Sequence, residues 1–204
     1  MSRAQVILLN GASSSGKSAV AKVIQAKVSD VVFLHVAEDT FFDMLPPAAH
    51  DRPDFMTVGL RLYTGFAESV ALLAAEETHV VVDTVGWVEG SIPAFLRACE
   101  HTTVLAVGLH CDPAELRRRE DQRADRRVGL AEQQAAVVHE GWLYDIEVDT
   151  TSTGIDEVSD RIVEAWQAGP MGASAFERMR EAAAETVLSD TVLSETVLTD
   201  TELP

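Results

Sequence analysis

The stretch Val6-Ile-Leu-Leu-Asn10-Gly11-Ala-Ser-Ser-Ser-Gly16-Lys17-Ser18-Ala-Val-Ala-Lys-Val-Ile24 decides the fold. It opens on an apolar run of strand length, Val6–Leu9, and closes on a segment of helix-forming composition, with G-x-x-x-x-G-K-[ST] between them. Glycines let the backbone wrap an anion closely, and successive N–H groups at a helix N-terminus attract negative charge. Gly11, Ala12, Ser13, Ser14, Ser15, Gly16, Lys17 and Ser18 are therefore read as the cradle of a nucleoside triphosphate. In that reading Lys17 reaches the β- and γ-phosphates and the Ser18 hydroxyl ligates Mg2+.

Working outward, apolar runs rich in β-branched residues recur at Val31–Val36, Val80–Val85, Val104–Leu109 and Ile146–Val148. Segments of helical spacing or composition lie between and after them, at about 17–28, 57–77, 91–100, 112–122 and 155–168. Continuously apolar strands alternating with helices predict a parallel sheet covered on both faces. The expected fold is α/β: a doubly wound, parallel five-stranded sheet in a three-layer sandwich of the P-loop kinase kind, with ligands at the carboxyl ends of the strands.

At 204 residues the chain holds one such domain, expected over residues 1–184. Thr186-Val-Leu-Ser-Asp, Thr191-Val-Leu-Ser-Glu and Thr196-Val-Leu-Thr-Asp then repeat, before a broken copy, Thr201-Glu-Leu-Pro. So few units cannot bury a continuous core, so 185–204 is expected to be an acidic, disordered tail.

Composition narrows the partners. Hydrophobic residues at 47% and charged residues at 24% are globular values, and a net charge of −17 argues against a grip on a nucleic-acid backbone. Cys99 and Cys111 make no disulfide framework and read as small apolar side chains. His110 and Cys111 are neighbours on a strand and point to opposite faces, which makes them a poor metal site. No apolar run spans a bilayer, and the N-terminal one lacks the cleavage site of a signal peptide. A cytoplasmic protein with a small-molecule partner is expected, and the sequence leaves its assembly into a homo-oligomer open.

Three further places carry chemistry. Asp83 ends the third apolar run, where an acid holds the Mg2+ shell of a bound nucleotide. Asp83-Thr-Val-Gly86 also imitates a GTPase switch, but guanine readout would need N-K-x-D and the only asparagine is Asn10. Nor does a glutamate follow Asp83 to activate water, so both absences favour transfer to a bound acceptor over hydrolysis. Asp39 follows the second strand and is placed to take the acceptor's hydroxyl proton. Glu38 and Asp43 compete for that role, and Asp39 as the cap of a helix over 40–45 is the structural alternative. Among the arginines, 117–119 read as a solvated face, whereas Arg123 and Arg126 share a helical face and are expected to clamp phosphate oxygens from a lid that hinges at Gly129. His139 reads as structural, and Trp142 and Tyr144 as core or rim.

From about residue 4 to 168 the chain resembles the chloramphenicol phosphotransferases. The likeness rests on the phosphate loop, on Asp39 seven residues before Pro46, on Arg123-Ala-Asp-Arg126, and above all on Val137-Val-His-Glu-Gly-Trp-Leu-Tyr-Asp-Ile-Glu-Val-Asp-Thr-Thr151. The resemblance implies transfer of the ATP γ-phosphate to a hydroxyl of an antibiotic-like acceptor, with Asp39 as base and Arg123 and Arg126 over ATP. Two departures stand out. The family's second acid after the Asp83 position is Thr84 here, and the acceptor-side segment 46–60 differs throughout and carries His50, Asp51, Arg52 and Asp54. A charged wall penalises an apolar ring, so chloramphenicol itself is expected to be a poor substrate, with Arg52 or Arg61 pairing to an acidic acceptor group. The competing readings are a kinase of a primary metabolite (sugar, shikimate or nucleoside type) and a nucleotide-gated binding or toxin-like protein.

Overall fold

The computed structural model describes residues 3–74, 78–86, 88–122, 129–169 and 171–185. Arg123 and Arg126, and the repeats after residue 185, lie outside the described residues.

Five strands, β1 (Val6–Asn10), β2 (Val32–Ala37), β3 (Thr78–Thr84), β4 (Val104–His110) and β5 (Ile146–Asp149), form one all-parallel sheet in the order β2-β3-β1-β4-β5. The expected strand runs all pair, each within two residues of its predicted limits. β1 is central and wholly buried, which is why it reads as continuous apolar sequence rather than as an alternation. Alternate residues serve opposite layers. Val6, Leu8, Val80, Val82 and Ala106 pack under α3 (Phe55–Leu73) and α4 (Ser91–Ala98), whereas Ile7, Leu9, Val81 and Val107 pack under α1 (Lys17–Lys27) and α7 (Ile155–Ala168). Each fully buried Val, Leu or Ile side chain among these contributes about 1.5–3 kcal/mol.

Short helices decorate the carboxyl edge: α2 (Glu38–Phe42), α5 (Pro113–Glu120) and α6 (Leu130–Ala135), with a 3-10 turn at Pro47–Asp51. Asp112 caps α5, its carboxylate accepting from the N–H groups of Ala114 and Glu115. Asp39 is not a cap. Helix α2 begins two residues earlier than expected, after Ala37, and puts Asp39 in its first turn.

A helix over 175–185, α8, was not expected from the sequence. Its Ala175, Phe176 and Met179 complete the core on the α3 side, so the folded unit runs past the last predicted helix. Ser174 and Glu177 start it with a capping box: Glu177 Oε2 accepts from Ser174 N at 2.7 Å and Ser174 Oγ from Glu177 N at 3.3 Å. Cys99 is buried as expected, while Cys111 is partly exposed. No helix among the described residues is long and apolar enough to cross a membrane.

Candidate functional site

The loop from β1 to α1 departs from ordinary backbone at two points. Gly16 has φ of 100° and Ser14 has φ of 64°, a region that side chains rarely enter and that marks strain at binding sites. Gly11 answers a close approach instead, since a Cβ there would lie 2.6 Å from Leu109 O. Ser14 Oγ and Ser15 Oγ are buried without a hydrogen-bond partner among the described residues, donors that a bound anion would satisfy. Lys17 is buried beside them. Its Nζ donates to Gly11 O at 2.8 Å and Ala12 O at 2.9 Å, and stands 3.7 Å from Asp83 Oδ1.

Asp83 sits where β3 reaches the phosphate loop. Ser18 Oγ donates to its Oδ2, and His35 Nε2 lies 3.7 Å from the same oxygen. Burial pushes the Asp83 carboxyl up, but the Lys17 charge, helped by His35 and Ser18, outweighs it and holds the group at about 2. Asp83 is therefore a buried carboxylate at neutral pH. An oxygen pair of this kind, Ser18 Oγ and an ionised Asp83, suits Mg2+, which takes few protein ligands and completes its shell with phosphate and water.

Glu38 and Asp39 line the same pocket as Ser13, Ser14, Gly16, Lys17, Ser18, Asp83 and Val85. The two acids differ sharply. Asp39 is exposed at the mouth, whereas Glu38 is 5% exposed, with Oε2 accepting from Thr84 Oγ1 at 2.6 Å and from the N–H groups of Val85 at 2.7 Å and Gly86 at 3.3 Å. Burial raises the Glu38 carboxyl above its usual range against the pull of those three donors and of Lys17. Asp43, the third contender, closes α2 at its C-terminus, is exposed, and is not among the residues lining the pocket.

The arginine triplet splits. Arg117 and Arg118 are exposed and pair with Glu132 and Glu115, as a solvated face should. Arg119 corrects the expectation: at 24% exposure it turns inward, donating from Nη2 to Thr150 O at 2.5 Å, and a Cβ on Gly16 would lie 4.0 Å from its Nη1. Two links had no signal in the sequence. Gln134 of α6 accepts the Ser13 N–H at 2.8 Å, and the buried Glu120 accepts the N–H groups of Gly129 at 2.7 Å and Ala131 at 3.0 Å, joining the end of α5 to the start of α6.

Behind the loop, Asn10 Nδ2 donates to Tyr144 Oη at 2.7 Å, so the Tyr144 hydroxyl proton goes to His139 Nδ1, also at 2.7 Å. That bond needs His139 neutral. Burial, with help from the stacked His110 4.1 Å away and from Lys17, lowers it to about 4 against the opposing charge of Glu147. His139 is structural, as expected, and Trp142 is core. Near the 3-10 turn, Arg52 and Asp54 form a two-bond pair at 2.8 Å on the surface, so the Arg52 charge is already matched. Met44, Met56 and Leu60 are the exposed apolar side chains of the same stretch.

This arrangement has known relatives. Residues 4–167 match the family model described as chloramphenicol phosphotransferase-like protein. The chain belongs to that chloramphenicol phosphotransferase-like family. Two Mycobacterium tuberculosis proteins, from strains CDC 1551 / Oshkosh and H37Rv, are assigned as O-phosphotransferases and are each 31% identical to the chain over 89% of it and 90% of their own length. Family and relatives make the chain a phosphotransferase. The M. tuberculosis APS kinase solved with AMPPNP and APS superposes with a TM-score of 0.59 at 16% identity, over 80% of this chain and 98% of that one. A Sinorhizobium meliloti gluconokinase gives 0.58 at 18% identity, over 91% and 99%. At such identities these two establish the fold, that of the P-loop kinases, which makes this member of the chloramphenicol phosphotransferase-like family a small-molecule kinase by family and architecture together.

Proposed function

We propose that the chain moves the γ-phosphate of ATP to a hydroxyl of an antibiotic or similar secondary metabolite. The observation that carries this reading is that Asp39 lines one pocket with Lys17, Ser18 and Asp83. A base at the mouth of a phosphate cradle serves transfer to an acceptor, whereas a nucleotide-gated binding protein has no use for one. In the proposed reaction the acceptor oxygen bonds to the γ-phosphorus, the bond from that phosphorus to the bridging oxygen breaks, ADP leaves, and the hydroxyl proton passes to the Asp39 carboxylate.

The loop N–H groups and the Ser14 and Ser15 hydroxyls hold the phosphates, and Lys17 neutralises charge on the β- and γ-oxygens. Ser18 and Asp83 hold Mg2+, which supplies charge neutralisation on the transferring group. Arg119 offers a planar guanidinium beside the loop for the nucleoside end of ATP. Arg123 and Arg126 complete the proposal as lid arginines stabilising the transferring phosphoryl group.

The pairing of Arg52 with Asp54 matches one charge of the 46–60 segment and leaves those of Asp51 and of Arg61 just beyond the segment, so chloramphenicol is expected to be a poorer acceptor than more polar hydroxylated antibiotics. The test is a coupled ADP assay across chloramphenicol, aminoglycoside, macrolide and nucleoside acceptors, with mass spectrometry for the phosphate adduct. Acceptor-stimulated ADP release with an adduct is the expected result. ADP release that ignores every acceptor would overturn the transfer reading.

A further inference from the structure

Glu38 is the buried acid that the proposed reaction leaves without a task. Its position follows from the sheet: Ala37 lies beside Asp83 in the register of β2 and β3, so the next residue crosses the carboxyl end of β3. There Oε2 meets Thr84 Oγ1, Val85 N and Gly86 N. The Thr84 hydroxyl has one proton and gives it to Glu38, so Tyr63, whose Oη lies 3.0 Å from Thr84 Oγ1, donates in turn. One carboxylate oxygen is thus saturated and oriented from behind. Oε1 accepts no hydrogen bond among the described residues, and Glu38 lines the pocket that holds Ser18 and Asp83.

We propose that Glu38 is the second carboxylate of the divalent-cation site, presenting Oε1 to the cation, directly or through a water, beside Ser18 and Asp83. The inference rests on reading the pocket as a site for ATP with Mg2+. Charge supplies the independent argument. Among the described residues lining the pocket, three acids, Glu38, Asp39 and Asp83, share the space with one ammonium, Lys17, where a polyanion has to bind. A cation of charge two offsets that excess of acids. The donor set also suits the ion, because Mg2+ is held by one or two carboxylates together with phosphate oxygens rather than by an all-protein cage.

Gln at position 38 separates this role from a structural one. Glu38→Gln keeps an oxygen for the three donors and changes only the pocket-facing atom, from a carboxylate oxygen to an amide nitrogen. Binding of AMPPNP to the full chain is measured by calorimetry in EDTA and in excess Mg2+, and Mn2+ is titrated into the AMPPNP complex. The expected result has opposite signs: tighter metal-free AMPPNP binding than wild type, and Mn2+ affinity weakened about tenfold or more. Affinities that stay at wild-type values in both conditions, or fall together, overturn the proposal. If Gln prevents folding, Glu38→Asp takes its place. With the charge kept, metal-free binding should match wild type while Mn2+ affinity drops, because a shorter side chain cannot serve both the loop and the ion, and an unchanged Mn2+ affinity overturns the proposal. A wild-type chain that binds AMPPNP equally with and without metal would instead defeat the underlying nucleotide–metal reading.

Discussion

The two sides of the carboxyl edge handle charge in opposite ways. Around the phosphate loop, Lys17, Asp83 and Glu38 are all buried, and each is held by neighbours that fix its position. Along the 46–60 segment, Arg52 and Asp54 pair with one another at 60% and 50% side-chain exposure. Burying a charge is expensive, so a buried charge persists where geometry compensates it or function requires it. An exposed pair contributes little and constrains little. The buried charges are accordingly constrained by their partners, and the exposed pair is not.

Substitutions put numbers on that contrast. Lys17→Ala removes the cation that lines the cradle, and phosphoryl transfer measured by ADP release should fall by on the order of 10³-fold or more. Activity retained within about tenfold would mean that the buried charges serve the fold rather than the phosphates. Asp39→Asn should keep the ATP KM near the wild-type value while kcat drops on the order of 10²-fold, the usual worth of a general base. If Glu38→Gln rather than Asp39→Asn removes turnover in steady-state assays, the mouth acid is not the base.

His139 tests burial away from the chemistry. Its pKa lies at about 4 in the fold against an ordinary 6.5, so between those values the unfolded chain takes up a proton that the folded chain refuses. Its contribution to stability is whole above about pH 6.5, is lost as the pH falls toward 4, and then levels off. Urea denaturation from pH 7 to 4 should show a steeper loss in wild type than in His139→Gln, and parallel curves would place the pH dependence elsewhere. The smallest effect belongs to the exposed Arg52–Asp54 pair. Arg52→Ala should leave kcat/KM for the accepted substrate within about twofold and the melting temperature nearly unchanged. A loss comparable to that of Lys17→Ala would collapse the distinction between the two sides.

The same contrast decides what the sequence could disclose. The phosphate loop, the five strands and Asp83 are written in local pattern: apolar runs, glycine spacing, an acid at a strand end. Helix α8 was not expected although its signal is local: Ser174-Ala-Phe-Glu177 is a capping-box signature, with Phe176 and Met179 at helical spacing. Glu38 was not legible. Two adjacent acids at the end of a strand look alike in one dimension, and only the start of α2 at Glu38 sends one inward and leaves the other at the mouth. Arg119 hid for a similar reason, because three consecutive arginines give no hint of which helical phase faces Thr150. Gln134 reaches Ser13 across 121 residues of sequence, a separation at which no periodicity argument operates.

The Glu120 clamp has an evolutionary consequence. One carboxylate holds the chain on both sides of residues 121–128, through the backbone N–H groups of Gly129 and Ala131. Backbone donors are indifferent to side-chain identity, so the anchor survives almost any exchange within the span it brackets. Lengthening the bracketed span adds only a slowly growing entropic cost. The clamp therefore keeps α5 and α6 in register whatever side chains the bracketed span carries.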